Sequence, residues 1–179
     1  MAPCDLELAV PAGFAIGEAR IAEGDDRHTQ GRLAAARALA LLGVPRARLG
    51  YEGARPIVIG AELAISITHG RARALAIAGF ARRVGVDLCD DADRLARLAE
   101  RYLAAERSIA TTPRAFAACF AGKEAALKAL GLGLLDGGVF DDCAVRVVSL
   151  DPPRLEPARL ELVLGRVPEG SVAIAYEHP

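Results

Sequence analysis

The sequence contains no tryptophan, and aromatic side chains make up only 4% of its 179 residues. Positive charge is not in excess either, since 22 basic and 23 acidic residues leave a net charge of −1. A general nucleic-acid surface needs clustered positive charge, and single-stranded binding also needs aromatic platforms. We therefore expect no nucleic acid among the partners of this protein.

Long apolar runs are also missing. Stretches such as residues 63–67 and 74–78 are far shorter than the roughly 20 residues that cross a bilayer. The first ten residues, MAPCDLELAV, carry acids where a secretory signal has a positive and then an apolar region. These absences predict a cytoplasmic protein without a membrane span.

The four cysteines and three histidines form none of the short spacings that bind zinc. We therefore expect reduced thiols and no zinc chemistry. At 53% hydrophobic residues the chain has enough apolar material for a folded unit, which we assign to residues 1–179.

Hydrophobic periodicity predicts three helices and six strands. The helices are expected at 30–42, 93–108 and 113–130, and the strands at 62–68, 74–80, 84–88, 144–150, 159–164 and 171–177. The segment RPIVIGAE before the first strand predicts a mobile loop. The order of elements and two similar strands, ALAIAGF and VAIAYEH, favour an α+β fold of two related halves with antiparallel sheets, residues 1–83 and 84–179 approximately.

Lysine is scarce in this chain. Arginine supplies 20 of the 22 basic residues, and both lysines, Lys123 and Lys128, lie in the segment FAGKEAALKALGLG. Lysine is a compact point charge that suits a single phosphate oxygen or a proton transfer. Glu124 and Lys128 share a helix face, which also fits an ordinary surface ion pair. Both interpretations stay open from the pattern alone.

Two further side chains stand at the ends of predicted strands. Asp87 follows the apolar run VGV, where its carboxylate can hold a hard cation such as Mg²⁺. His69 follows the strand ISIT in a predicted turn, where it can donate to an anion, although a lone histidine is more often structural.

The order of three segments, SITH, GVD and FxxKEAxxKAxGxGL, resembles the 4′-phosphopantetheinyl transferase superfamily. Residues 116–134, FAACFAGKEAALKALGLGL, match its signature, and DDRHTQGRLAAAR and GARP are similar to elements of its longer, single-chain class. The resemblance implies Mg²⁺-dependent transfer of the 4′-phosphopantetheine arm of coenzyme A to a serine of an apo acyl or peptidyl carrier protein. Adenosine 3′,5′-bisphosphate is the implied second product, and a monomeric pseudo-dimer is the implied architecture.

The resemblance also implies roles for individual residues. Asp87 and Glu124 hold the metal, and together with Lys128 they are the implied catalytic residues. The implied coenzyme A contacts are His28, Thr29, Arg55, Thr68, His69, Lys123 and Lys128. Glu106 matches an acidic residue that the family carries at the end of a helix.

One position departs from the family pattern. The longer class has a third acid in GxDxE, and Cys89 stands there in this chain. The third metal position is left open between Asp90, a water molecule and no ligand, and the general base and the carrier protein are also left open. Cys89 motivates an alternative function, a non-catalytic coenzyme A- or carrier-binding protein of the same fold.

Overall fold

Residues 6–90, 103–132, 145–156 and 159–179 are described by the computed structural model. These residues contain two helices, α1 (Arg27–Leu41) and α2 (Pro113–Leu130). Their strands are β1 (Phe14–Arg20), β2 (Arg48–Glu52), β3 (Arg55–Ile59), β4 (Ala64–His69), β5 (Arg73–Gly79), β6 (Arg83–Cys89), β7 (Arg146–Leu150), β8 (Pro153–Glu156), β9 (Glu161–Val167) and β10 (Gly170–Glu177). Neither described helix has the length and hydropathy of a membrane-spanning segment.

The strands form two three-stranded antiparallel sheets, in the orders β1–β5–β4 and β6–β10–β9, and two hairpins, β2–β3 and β7–β8. Within the described residues each sheet has the same sequence of elements: strand, helix, hairpin and two strands. The similar strands ALAIAGF and VAIAYEH become β5 and β10, the buried middle strands of the two sheets. Continuous apolar runs suit such positions because both faces of the strand are covered.

Each helix packs directly on the backbone of the first strand of its sheet. A Cβ atom at Gly17 in β1 would lie 2.0 Å from the carbonyl oxygen of Ala34 in α1. A Cβ atom at Gly85 in β6 would lie 1.9 Å from the carbonyl oxygen of Ala125 in α2. Glycine is therefore required at both positions for the helix to approach this closely.

The helix ends follow from local sequence. The Asp26 carboxylate accepts hydrogen bonds from the His28 and Thr29 amides and caps the start of α1. Thr112 caps α2 in the same way, and Pro113 occupies its first turn, where a missing N–H costs nothing. Gly131, with a φ of 73°, ends α2 in the left-handed conformation.

Three buried clusters make up the core. One joins α1 to the first sheet, a second joins α2 to the second sheet, and a third lies between the sheets. The third cluster includes Leu75 and Ile77 of β5 together with Val86 of β6 and Ile174 of β10. The edge strands β4 and β6 also meet, because the Ser66 hydroxyl accepts the amide of Val86 at 3.1 Å. Residues from both sheets therefore reach the end of β6.

The structure confirms the helices predicted at 30–42 and 113–130 and all six predicted strands, with ends that differ by at most three residues. The mobile loop predicted at RPIVIGAE is wrong, since Arg55–Ile59 form β3 and pair with β2. The predicted helix over 93–108 lies outside the described residues as far as 102, and residues 103–109 form turns. The periodicity missed β1, β2, β3 and β8.

Candidate active site

The site is centred on the carboxylate of Asp87 near the end of β6. Its Oδ1 accepts a hydrogen bond from Lys128 Nζ at 2.7 Å and from Thr68 Oγ1 at 3.0 Å. Lys128 Nζ also donates to the Val86 carbonyl oxygen at 3.1 Å. Gly85 and Asp87 project to the same side of the strand, because side chains alternate between faces. The close approach at Gly85 thus brings α2, and with it Lys128, within reach of Asp87.

Glu124 lies one helical turn before Lys128 and is buried. Burial raises the pKa of Glu124 to about 8, the charge of Asp87 adds to the rise, and Lys128 opposes it. Glu124 Oε1 is buried with no hydrogen-bond partner among the described residues. A buried carboxylate oxygen without a donor is a position that invites a cation or a proton.

The donor set at this point fits a hard cation. Asp87 and Glu124 offer carboxylate oxygens, which Mg²⁺ prefers, and Mg²⁺ needs only one or two protein ligands beside phosphate and water. Across the described parts of the chain, no three or more His, Cys, Asp or Glu side chains come together as a metal cluster. Asp87 and Glu124 are neighbouring carboxylates whose chemistry fits such an ion.

His69, at the end of β4, lies near the start of α1. Its ring is 5.7 Å from that of His28, centroid to centroid, in an edge-on arrangement. Burial lowers the pKa of His69 below its usual value, and the charges of Lys128 and His28 act in the same direction. The lowered pKa favours the neutral imidazole, which carries one N–H donor.

Arg55 lies near the C-terminal end of α2. A cleft of about 450 Å³ separates the β2–β3 hairpin from that helix end, and Arg55 and Lys128 both line it. Its walls also include Ile65, Ile67 and Leu132, so the cleft combines two cations with apolar surface. The structure thus brings together Asp87, Glu124, Lys128 and Thr68, with Arg55 on the same cleft as Lys128.

Two predicted coenzyme A contacts have other partners. Thr29 Oγ1 donates to Asp26 Oδ2 at 2.6 Å, which makes Thr29 part of the cap of α1. Lys123 is 2% exposed, and its Nζ lies 3.2 Å from Oε2 of the fully buried Glu106. These contacts favour structural roles for Thr29 and Lys123, and contact of either residue with coenzyme A stays a prediction.

The residues around the third metal position are also engaged. The Asp90 carboxylate accepts the Arg71 amide and lies against Gly70, which ties Asp90 to the turn between β4 and β5. Cys89 is 2% exposed and belongs to the apolar cluster beneath α2. Whether Asp90, a water molecule or no ligand takes the third metal position stays a prediction.

Sequence reasoning missed two side chains of this region. Ser66 binds the Val86 amide and so joins β4 to β6, and Glu52 lines the cleft beside Arg55. The alternation of β4 contained a signal for Ser66, because Ser66 and Thr68 lie on the same face of that strand. Glu52 carried no comparable signal, since its position depends on how the β2–β3 hairpin folds over α2.

A known protein family matches the second half of the chain. The family model of the 4′-phosphopantetheinyl transferase superfamily matches residues 83–175, which is just over half of the chain and contains Asp87, Glu124 and Lys128. The chain therefore belongs to the 4′-phosphopantetheinyl transferase superfamily, a membership that points to phosphopantetheinyl transfer in general. No curated protein matches the chain.

Proposed function

We propose that this protein transfers the 4′-phosphopantetheine arm of coenzyme A to a serine of an apo acyl or peptidyl carrier protein. The serine Oγ attacks the phosphorus that bears the pantetheine arm and forms a new P–O bond. The bond from that phosphorus to the rest of the pyrophosphate breaks, adenosine 3′,5′-bisphosphate leaves, and the serine proton is released. The observation that carries the proposal is the Asp87, Glu124 and Lys128 cluster within the region that matches the family.

Asp87 and Glu124 are the residues that would hold Mg²⁺. When bound, the ion neutralises charge on the pyrophosphate oxygens and so stabilises the transition state. The buried Oε1 of Glu124 supports this assignment, because it has no protein donor among the described residues. The Asp87 carboxylate is held in place by Thr68 Oγ1 and by Lys128 Nζ.

Lys128 is the residue we assign to the phosphate that is transferred. Its side chain is 32% exposed, whereas that of Asp87 is 10% exposed, so the ammonium group lies between the buried carboxylate and the cleft. A flexible ammonium can exchange one oxygen partner for another with little rearrangement. Positioning and charge stabilisation of this kind supply most of the catalysis of phosphoryl transfer.

The nucleotide end of coenzyme A is assigned to residues of the first half. His69 offers one N–H donor for the 3′-phosphate, with His28 beside it, and Arg55 adds a cation on the cleft. A phosphate at His69 would also favour the protonated imidazole, since an anion counteracts the effect of burial. On this assignment, the site uses residues from both halves of the chain.

The halves are related by an internal duplication, and one catalytic site per chain follows. Residues 31–41, GRLAAARALAL, align with residues 122–132, GKEAALKALGL, when the contacts of Gly17 and Gly85 are matched. Arg37 then corresponds to Lys128, and Arg37 Nη1 donates to the Glu18 carbonyl as Lys128 does to that of Val86. The positions of Asp87 and Glu124 hold Ala19 and Leu33 in the first half, which has no carboxylate pair there. A monomer with a single site is therefore the proposed architecture.

The test is incubation of the protein with coenzyme A, Mg²⁺ and a panel of apo carrier proteins, followed by intact-mass spectrometry. We expect a gain of one phosphopantetheine arm on a carrier serine, dependent on a divalent cation. Asp87→Asn and Glu124→Gln should remove the transfer, and Glu23→Gln at an exposed position is the matched control. If the wild-type protein binds coenzyme A and modifies no carrier at any Mg²⁺ concentration, the non-catalytic alternative takes the place of the transferase.

A further inference from the structure

A buried ion pair lies on a different side of α2 from Asp87. Lys123 is 2% exposed and Glu106 is fully buried, and their Nζ and Oε2 atoms are 3.2 Å apart. The second oxygen of Glu106 accepts the amide of Val147 in β7 at 3.2 Å. One carboxylate thus connects the turn segment around residue 106, the middle of α2 and the start of the β7–β8 hairpin.

Stability does not explain why charges occupy this position. Removing two ions from water costs about as much as their attraction returns, and apolar residues of similar size are often as stable or more stable. The surroundings are apolar, since Leu103, Phe120 and Val147 belong to the same core cluster. Unlike apolar packing, a buried ion pair fixes the relative orientation of the elements that carry it, because each polar atom tolerates few orientations of its partner.

The orientation of α2 affects the active site, because the same helix carries Glu124 and Lys128. Lys123 immediately precedes Glu124, so the two side chains leave α2 about 100° apart. Glu106 and Val147 hold the helix from one side, while Glu124 and Lys128 reach Asp87 on another. A rotation or slide of α2 that broke the buried pair would also carry the Glu124 carboxylate away from Asp87.

We propose that Glu106 and Lys123 are positioning residues for the transferase site, which fix α2 in the rotation and register that set Glu124 beside Asp87. The inference rests on the proposed function for its kinetic consequence, although its structural consequence does not depend on that function. It accounts for a lysine at position 123 in a chain whose basic residues are otherwise arginine except for Lys128, because a compact ammonium group fits a buried site more readily than a larger guanidinium.

Two variants separate an effect on the position of α2 from an effect on the stability of the fold. In Glu106→Leu/Lys123→Met the apolar pair fills the site, so the melting temperature should equal or exceed that of the wild type. Its kcat should fall about a hundredfold, as for a catalytic group displaced by an ångström, with KM for coenzyme A within about threefold. Glu106→Gln keeps the shape of the side chain and its contact with the Val147 amide, but it removes the negative charge that faces Lys123. Its melting temperature should fall by roughly 10 °C, and its kcat at low temperature should stay within about threefold of wild type.

A matched control removes an exposed ion pair from the neighbouring hairpin. Arg146→Gln/Glu156→Gln breaks the contact between β7 and β8 and should leave both kcat and melting temperature unchanged. A double variant Glu106→Leu/Lys123→Met that keeps the wild-type kcat would overturn the proposal. A kcat that falls in step with the melting temperature across all variants would also overturn it.

A crystal structure of the Glu106→Leu/Lys123→Met variant makes the test independent of activity. We expect α2 to be rotated or shifted, with the Lys128 Nζ to Asp87 Oδ1 contact of 2.7 Å lost. An unchanged α2 would refute the positioning role even in an inactive protein. Absence of transfer by the wild type, with a shifted helix in the variant, would refute the proposed function and leave the positioning role standing.

Discussion

Lys128 Nζ lies 2.7 Å from Asp87 Oδ1, and this ion pair joins the C-terminal part of α2 to the end of β6. The two residues are 41 positions apart, and the contact depends on the absence of a side chain at Gly85. Because Thr68 of β4 donates to the same oxygen, strands from both sheets and one helix meet at a single carboxylate. The charge arrangement of the site is therefore set by the packing of the fold.

Replacement of Lys128 tests its proposed role on the phosphate. Lys128→Ala should lower kcat about a hundredfold, the usual loss when a donor to developing charge is removed. Lys128→Arg should recover only part of the rate, because the donors of a planar guanidinium point in fixed directions, whereas one ammonium group donates to both the Val86 carbonyl and Asp87. Arg154→Ala, which removes an exposed arginine from β8, is the control. Full activity of Lys128→Ala would reduce Lys128 to a structural ion-pair partner.

Glu124 should make stability depend on pH in the metal-free protein. The folded state keeps a proton on Glu124 up to a pKa of about 8, whereas the unfolded chain loses it near 4.5. Between these values the folded state binds more protons, so the free energy of unfolding should fall as pH rises and level off above pH 8. The fall attributable to Glu124 is roughly 3 to 5 kcal/mol.

Urea denaturation from pH 5 to 9 measures this dependence. Glu124→Gln should lose most of the slope, because an amide does not titrate, while Glu161→Gln at an exposed position should keep it. Identical slopes in the wild type and in Glu124→Gln would show that Glu124 is ionised throughout this range. The interpretation that the folded protein holds Glu124 protonated would then be wrong.

His69 should distinguish coenzyme A from its dephosphorylated form. If the imidazole contacts the 3′-phosphate, His69→Ala should weaken coenzyme A by about tenfold to a hundredfold and leave dephospho-coenzyme A nearly unchanged. Calorimetric titration of both ligands measures the difference. His178→Ala is the control, since His178 is exposed and pairs with Glu161. Equal losses for the two ligands would return His69 to a packing role beside α1.

Much of the site was predictable because its chemistry is local. Glu124 and Lys128 lie one turn apart on a helix, and Asp87 ends an apolar strand, so residue type and spacing carry the signal. The same segment also placed Lys123 among the predicted coenzyme A contacts, although in the structure Lys123 pairs with Glu106, 17 residues away. Pairing over that distance depends on tertiary packing and leaves no periodic trace in the sequence.

The missed strands have similar reasons. Pro56 in RPIVI argues against a central strand, yet it pairs with Tyr51 in a two-stranded hairpin where a missing donor is tolerated. In FAIGEAR, Gly17 and small alanines weaken the apolar alternation that identifies β1. Those small residues are present because α1 packs against the strand backbone.

The two carboxylates and Cys89 should respond differently to conservative changes. Asp87→Asn should lower kcat about a thousandfold, since it removes a proposed metal ligand and the partner of Lys128. Cys89→Ser should be mild in rate, and Cys89→Glu should destabilise the fold because position 89 is 2% exposed in the apolar cluster beneath α2. Steady-state kinetics and thermal melts separate these effects. Loss of activity in Cys89→Ser with tolerance of Asp87→Asn would contradict the assigned site.

The glycines beneath the two helices provide a comparison of the halves within one chain. Gly17→Ala and Gly85→Ala each place a methyl group about 2 Å from a helix carbonyl oxygen, so each should cost about 3 kcal/mol of unfolding free energy. Only Gly85→Ala displaces the helix that carries Glu124 and Lys128. It should therefore also lower kcat at least tenfold under conditions where both variants are folded, whereas Gly17→Ala should change kcat little.

Gly50→Ala is the control for the added methyl group, because it meets only the flexible side chains of Ile59 and Ile57, and it should be nearly neutral. Chemical denaturation and kinetics on the same preparations measure both quantities. If Gly17→Ala lowers kcat as much as Gly85→Ala, the reaction depends equally on α1, and assignment of catalysis to the second half is wrong. If only Gly85→Ala does so, the two helices share a packing role and only α2 carries the chemistry.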